Sequence, residues 1–418
     1  MQAHGEIAVN RWQMWRWTFA IPVALGLNAP ALANPLKPKL SADIRVRLEQ
    51  DWDSTTATGA PRADRLRSRI RARLAARIEP AEHLSVALRV RTGGKGSQQN
   101  ANVTFADFSG NPNEKLGVSL DQFEIDWKGK SAGIQIGRMT YPFFTQNEFM
   151  WDADINPLGL AAYASLSLGK QATLKATIGH FALPVGLAHY SGQLTAGQLA
   201  YSDRHVTLAG GIFHFQPSLT DPDRLRLLDG NGQRVYTVLV LNGRYTQKLA
   251  GKPLAMGVEL FHNLEQYRDP SDNVGFANND QRDGYVLSAA VGDSAAPRHF
   301  QFGYRYFHIE RLAVNSSYSH DDISRLGVPS QAANSDLAGH DIFANYAVNR
   351  HLTAGIRFIF AHRLTNPEDN AVPAGSCLRV VSAIKTKLWP MPCPCRSAVP
   401  SFSTSTNSKP SPPWPSPI

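Results

Sequence analysis

From Leu40 to about Leu364, segments of roughly ten residues alternate apolar with polar or small side chains. In 132–137, for example, alanine or isoleucine recurs at every second position, with glycine or glutamine between. A two-residue period places each set of side chains on one face of a β-strand. It predicts fifteen strands, at 40–52, 66–78, 84–91, 118–127, 132–141, 159–168, 173–181, 193–201, 206–215, 234–247, 254–263, 283–292, 299–310, 339–348 and 352–364.

The segments that separate these strands are alternately short and long. Short ones such as 128–131 and 202–205 alternate with longer polar stretches near 53–64, 93–117, 142–158, 183–192, 216–233, 264–282 and 311–338. Short turns at one end and long loops at the other are typical of outer-membrane barrels. We therefore predict an all-β fold, a transmembrane antiparallel up-and-down β-barrel over 34–370 with about 16 strands, wide enough for an aqueous channel.

A sixteenth strand is expected because an open edge in lipid would leave backbone groups without partners. Segment 378–389 has some strand character, but residues 371–418 hold ten of the chain's 27 prolines, all three cysteines and no acidic residue. Proline removes ladder donors, so the part from Pro390 onward is excluded as a strand. We expect the last strand to be lost or replaced by an aberrant, disordered tail, and hypothesise that the coding sequence changed frame near residue 370.

The N-terminus has the pattern of an export signal. Arg11 and Arg16 precede an apolar stretch, 17–27, and the small-x-small sequence Ala31-Leu32-Ala33 follows. We predict a signal peptide over 1–33 and export through the periplasm. After it no apolar run reaches about 18 residues, which excludes a helical membrane protein.

Net charge and cysteine use narrow the function further. The formal charge of +9 includes +1 from residues 1–33 and +5 from 371–418, so the body carries only +3. That distribution excludes a nucleic-acid-binding footprint. The body contains no cysteine, which excludes a disulfide framework and a cysteine metal site there.

Three runs between 121 and 160 resemble one known family. They read Asp-Gln-Phe-Glu-Ile-Asp-Trp at 121–127, Gly-Arg-Met-Thr-Tyr-Pro-Phe at 137–143 and Met-Trp-Asp-Ala-Asp-Ile-Asn-Pro-Leu-Gly-Leu at 150–160. The bacterial putative porins have a similar strand, then "G-R-M-x-N-P-F" and "W-D-x-D-L-N-P-E-G"; here Tyr141 replaces the usual Asn and Leu158 the usual Glu. The motif residues shared are Gly137, Arg138, Met139, Pro142, Phe143, Trp151, Asn156 and Pro157.

The resemblance implies a bacterial outer-membrane barrel with a pore for small hydrophilic solutes or ions. Outer-membrane lipid is the implied partner, a homotrimer is a further expectation, and no cofactor is expected. In general porins the third long loop folds into the barrel, and its acidic groups face basic residues on the wall. By that resemblance Glu148, Asp152 and Asp154 are constriction-loop acids. The alternative is a solvated loop whose aspartates cap turns.

The basic partner is predicted on the strand 66–78. Arg67, Arg69, Arg71 and Arg73, here called the arginine ladder, alternate with apolar or small residues. Arginine on the lipid face would cost ~2–4 kcal/mol each at mid-membrane, so the ladder is expected to line the pore. Fixed positive charge there predicts a mild preference for anions. The same segment also has apolar residues spaced by four, so a solvated basic helix is the alternative.

Other functions receive less support. Neighbouring serine and histidine, as at Ser319-His320, do not identify a catalytic site, and no catalytic residue is assigned. The oxygen-rich loop around Asp269 and Asp272 lacks EF-hand spacing, and the thirteen histidines show no two-turn metal pattern, so no metal is predicted. A non-conducting barrel that binds or adheres through its loops is the main alternative, and a soluble secreted β-protein is the third.

Overall fold

The computed structural model describes residues 37–54, 60–93, 98–99, 101–185, 189–216, 234–323, 335–364 and 376–388. All of them lie in the second of the two units into which the chain divides, Lys37–Ile418. The predicted signal peptide and the tail after residue 388 lie outside the described residues. Within the described ranges, no helix has the length and apolar character needed to cross a bilayer.

The described residues form strands and one short helix, α1 (Asn273–Ala277). All fifteen predicted strands are present, with bounds within three residues of the prediction except where β8 and β9 approach each other. The strands are β1 (Lys39–Trp52), β2 (Arg65–Ala81), β3 (Leu84–Thr92), β4 (Val103–Asp107), β5 (Val118–Lys128), β6 (Ala132–Arg138), β7 (Leu158–Leu168), β8 (Ala172–Val185), β9 (His189–Ser202), β10 (Val206–Gln216), β11 (Tyr236–Leu249), β12 (Lys252–Asn263), β13 (Asp283–Gly292), β14 (Phe300–Ile309), β15 (Leu337–Ala347), β16 (Leu352–Arg363) and β17 (Ser376–Leu388).

Antiparallel pairing runs from strand to strand and returns to β1. β1 pairs with β2 along one edge and with β17 along the other, and every later strand pairs with its neighbours in chain order, except that β3 pairs directly with β5. The short β4 pairs with the part of β2 that extends beyond β3. Sixteen strands thus have a neighbour on each side. An antiparallel barrel requires an even number of strands, and sixteen satisfies this requirement.

Two expectations from the sequence are corrected. The last strand is not lost, because Ser376–Leu388 pairs with both β16 and β1. The segment 183–192 is not a long loop, since β8 runs to Val185 and β9 begins at His189. The first error arose because prolines crowd the tail around 376–388, although none lies within that segment. The second arose at Pro184, where β8 continues its pairing after a register shift between Ala182 and Pro184.

The two-residue period sorts side chains between an outward and an inward face. In β1, Val46 and Leu48 are 40% and 46% exposed, whereas the alternating Arg47 and Glu49 are 4% and 0% exposed. In β14, Phe300, Phe302 and Tyr304 form an exposed aromatic row opposite the buried Phe307. Outward apolar rows and inward polar groups are the arrangement expected of a membrane barrel.

The inward face is not uniformly polar. In β10, Ile212 is 50% exposed on the outside, yet its neighbour Phe213 is 2% exposed on the inside. Similar buried residues on the inner faces of β8, β9, β11 and β14 form an apolar cluster with residues of two long loops. Apolar side chains on both faces of these strands indicate that something packs inside the barrel.

A loop-filled barrel interior as the candidate functional site

The loop between β6 and β7, residues 139–157, is called the inner loop because it crosses the ring of strands. Near its start the Gln146 amide donates to the carbonyl oxygens of Gly243 in β11 (3.0 Å) and Val258 in β12 (2.7 Å). Near its end the Asp154 carboxylate accepts from Arg71 in β2 at 3.1 Å. β2 and β11 lie on opposite sides of the sixteen-strand order, so the loop spans the interior.

Half of the arginine ladder is paired to the strand beside it. Glu49 on β1 accepts from Arg67 at 2.9 Å and from Arg69 at 3.3 Å, and it also contacts Arg47 at 2.6 Å. The Glu49 side chain is fully buried. One carboxylate therefore serves three guanidinium groups at this level of the wall.

The other half of the ladder is paired to the inner loop. Asp154 binds Arg71 at 3.1 Å and also contacts Arg73. Its backbone oxygen accepts from Arg91 on β3 at 2.8 Å. Arg71 has a second partner in Asp43 at 2.9 Å. Asp154 is the point at which the inner loop is held against the basic wall.

Glu148 and Asp152, the other two predicted constriction-loop acids, face a different partner. Their nearest basic side chain is His320, whose Nδ1 lies 3.1 Å from Glu148 Oε2 and 3.7 Å from Asp152 Oδ2. His320 belongs to residues 310–323, here called the second inner loop, which follows β14. Asp154 thus pairs with the arginine ladder, whereas Glu148 and Asp152 face the second inner loop. The role of these three acids in narrowing a pore remains a prediction.

The second inner loop is held inside by contacts that the sequence analysis missed. Its Asp322 accepts two hydrogen bonds from Arg47, at 2.6 and 2.8 Å. The Tyr318 carbonyl accepts from the Asp152 backbone N–H at 2.8 Å, and the Ser317 carbonyl accepts from the Gln98 side chain at 2.8 Å. The sequence signal was weak, because 311–338 looked like one more polar loop.

Trp151 joins the two inner loops through its ring. It is 2% exposed and lies between Tyr141, stacked at 4.5 Å, and Tyr318, stacked at 5.8 Å. Its Nε1 donates to the Ile155 carbonyl at 3.2 Å. On the barrel side, Phe143 packs edge-on against the inward Phe213 at 5.2 Å. The motif aromatics are therefore packing anchors of the inner loop.

Polar motif residues secure the two ends of the inner loop where it leaves the wall. The Asn156 amide donates to Asp121 on β5 at 2.8 Å and accepts from Gln122 at 2.7 Å. The Pro157 carbonyl accepts from the Met139 N–H at 3.1 Å, which joins the loop's two ends directly. These contacts give the motif a structural role.

Arg138, the last residue of β6, marks the start of the loop. Its guanidinium donates to the Leu120 carbonyl at 3.2 Å and lies 5.8 Å from the centre of the Tyr190 ring. Pro142 needs no ladder donor here, since it follows the end of β6.

The backbone conformation at position 137 requires glycine. Its φ is +120°, and a Cβ there would collide with the carbonyl oxygen of Phe123. We expect Gly137→Ala to lower the free energy of unfolding by at least about 1 kcal/mol, measured by urea titration of the refolded barrel. Gly197→Ala is the control, because its Cβ would have no neighbour closer than 3.9 Å. Equal stability of the two variants would contradict this interpretation.

The oxygen-rich loop around Asp269 has an ordinary structural role. Asp272 caps the N-terminus of α1, accepting from the Gly275 N–H at 3.0 Å, and it pairs with Arg234. The Asp269 side chain accepts from the Ser271 N–H at 2.9 Å. These bonds account for the acidic residues through turn and helix capping.

Comparison with known proteins agrees with the sequence motifs. Residues 37–220 match the family model described as putative porin. No curated protein matches the chain. Among solved structures it is similar to a mutant of the Rhodopseudomonas blastica porin (10% identity, TM-score 0.46, covering 84% of this chain and 100% of that one). It is also similar to the anion-selective porin from Comamonas acidovorans (11%, 0.46, 85% and 100%) and to Pseudomonas aeruginosa OccK8 (10%, 0.48, 84% and 98%).

Proposed function

We propose that this chain, whose residues 37–220 belong to the putative porin family, is an outer-membrane porin that lets small hydrophilic solutes or ions diffuse passively. The main support is the ring of sixteen paired strands with apolar rows outside and charged groups inside. Lipid suits the outer rows, and a polar interior suits hydrated solutes. Family and fold favour a channel over an enzyme.

Assembly as a homotrimer is part of the proposal and is tested by the mass of the detergent-solubilised particle.

The selectivity of such a channel depends on which inward charges are balanced. The four arginines of the ladder and the neighbouring Arg47 face four carboxylates, so the field of the ladder is largely cancelled; the carboxylates are Asp43, Glu49, Asp154 and Asp322. Two other inward arginines have no carboxylate within ion-pair distance among the described residues. Arg45 donates to the Asn102 side chain at 2.8 Å, and Arg138 donates to a backbone carbonyl. These two residues support a mild anion preference.

Planar-bilayer recording of the refolded chain tests the proposal. We expect stepwise, ohmic conductance, and in a KCl gradient a reversal potential displaced slightly towards chloride. Silence at all voltages would defeat the channel, whereas conductance with a potential displaced towards potassium would defeat the anion preference alone.

One observation favours a second function, a non-conducting surface barrel that binds partners through its loops. Both inner loops are packed against the wall, with Trp151 buried between two tyrosine rings. A barrel filled this tightly would pass little current. Capture of a ligand by the external loops together with silent bilayers would select this function.

A further inference from the structure

Three side chains from the two inner loops meet inside the barrel. Glu148 and Asp152 lie on one loop and His320 on the other, and each offers one ligand atom within 4.8 Å of the other two. His320 is 4% exposed and Asp152 is 3% exposed. These groups are therefore largely shielded from solvent.

The imidazole faces the two carboxylates without completing a hydrogen bond. His320 Nδ1 is buried and has no hydrogen-bond partner, although Glu148 Oε2 lies 3.1 Å away. A buried nitrogen without a hydrogen bond lowers the stability of the folded protein by about 1–3 kcal/mol. A ligand that accepts its lone pair would remove that cost.

The distances from His320 Nδ1 to the two carboxylate oxygens are close to those between ligands of a small tetrahedral metal ion. Ligands bound to Zn²⁺ at about 2.0–2.1 Å lie roughly 3.3 Å apart in tetrahedral geometry. Here the imidazole nitrogen is 3.1 Å from one carboxylate oxygen and 3.7 Å from the other. Asp152 Oδ1 already accepts from the Asp154 N–H at 2.7 Å, which fixes the carboxylate so that Oδ2 faces the histidine.

Charge at this place also favours a cation. Glu148 and Asp152 bring two carboxylates together beside the single imidazole of His320. Two carboxylates balanced by a dication would be neutral together, which a buried site favours.

We propose that Glu148, Asp152 and His320 bind one divalent transition-metal ion of the Zn²⁺ type, which ties the inner loop to the second inner loop. Imidazole selects such ions over Ca²⁺ and Mg²⁺, which prefer oxygen ligands alone. Three protein ligands leave a fourth position for water. The ligands come from loops far apart in the sequence, so no spacing pattern predicts the site.

Arg357 on β16 is the group that opposes this binding. Its guanidinium nitrogens lie 3.5 and 3.4 Å from His320 Nε2. With a metal on Nδ1 the proton resides on Nε2, so these two long contacts are given up. The guanidinium keeps its bonds to Asp341, at 2.8 Å from both Nε and Nη2, and its position is held by them.

Equilibrium dialysis of the refolded full chain against Zn²⁺ tests the site without any need for conductance, so it does not depend on the channel proposal. We expect one Zn²⁺ per chain. His320→Ala and Glu148→Gln should each weaken its affinity by at least about tenfold, since even residues that only orient a ligand contribute about 10–100-fold. His262→Ala is the matched control, because His262 pairs with Asp283 at 2.6 Å on the exposed surface.

Three results would overturn the proposal. They are the absence of a stoichiometric Zn²⁺ site, unchanged affinity in both His320→Ala and Glu148→Gln, and equal displacement of Zn²⁺ by Ca²⁺. Heat-modifiable gel mobility verifies that each variant is folded before dialysis. If His320→Ala does not fold, Glu148→Gln decides the outcome, because it removes charge with almost no change in shape.

Discussion

Asp154→Asn is expected to raise the chloride-to-potassium permeability ratio at least roughly fivefold. The substitution removes the carboxylate that Arg71 and Arg73 share, so that Arg73 has no ion-pair partner among the described residues and Arg71 keeps only Asp43. One unit charge about 4 Å from an ion contributes ~1 kcal/mol even in bulk water, and more in a confined interior. The reversal potential of reconstituted channels in a KCl gradient measures the ratio directly.

Glu82→Gln is the matched control for this experiment. It removes the same charge from the short turn between β2 and β3, where the Glu82 side chain is 89% exposed. Salt screens such a charge, so we expect no change in the ratio. A ratio that stays at the wild-type value in Asp154→Asn would mean that ions do not pass the arginine ladder.

Trp151→Ala is expected to have the largest effect on stability and on the size of the pore. The ring is buried between Tyr141 and Tyr318 and joins the two inner loops. Truncating a buried tryptophan costs about 3–5 kcal/mol. With the anchor removed, both loops should leave the interior more often. Single-channel conductance should therefore rise, and the free energy of unfolding should fall.

Trp127→Ala separates loss of the anchor from loss of any tryptophan. Trp127 lies on β5 and is 46% exposed on the outward face. We expect a smaller loss of stability and unchanged conductance for this variant. Equal conductance in the two variants would show that the inner loop does not limit the current.

The fold could be predicted because one physical rule governs every strand. Backbone groups must pair and outward side chains must be apolar, so Ile134 and Ile136 signal their strand without any knowledge of neighbours. The rule failed to give the correct strand ends where prolines interrupt or surround the alternating pattern. Pro184 hid the end of β8, and the proline-rich tail obscured β17.

The candidate site was predicted only in part. The sequence selected Asp154 and the arginine ladder as facing groups, and the structure brings them into contact, although their role in conduction stays a prediction. His320 and Asp322 were missed because nothing in a polar loop indicates that it folds inward. The sequence signal for an inward-folded loop was the apolar Phe213 next to the apolar Ile212. Neighbouring residues of a strand point to opposite faces, so both faces of β10 are apolar here and the inner one needs a packing partner.

Heat-modifiable gel mobility tests most directly the central claim that sixteen strands pair in a ring with β17 beside β1. The refolded chain should migrate faster unheated than boiled, and a version ending at residue 364 should show no such shift. Identical migration of the full chain before and after boiling would contradict the barrel itself, and an unaltered shift in the shortened chain would contradict the place given to β17.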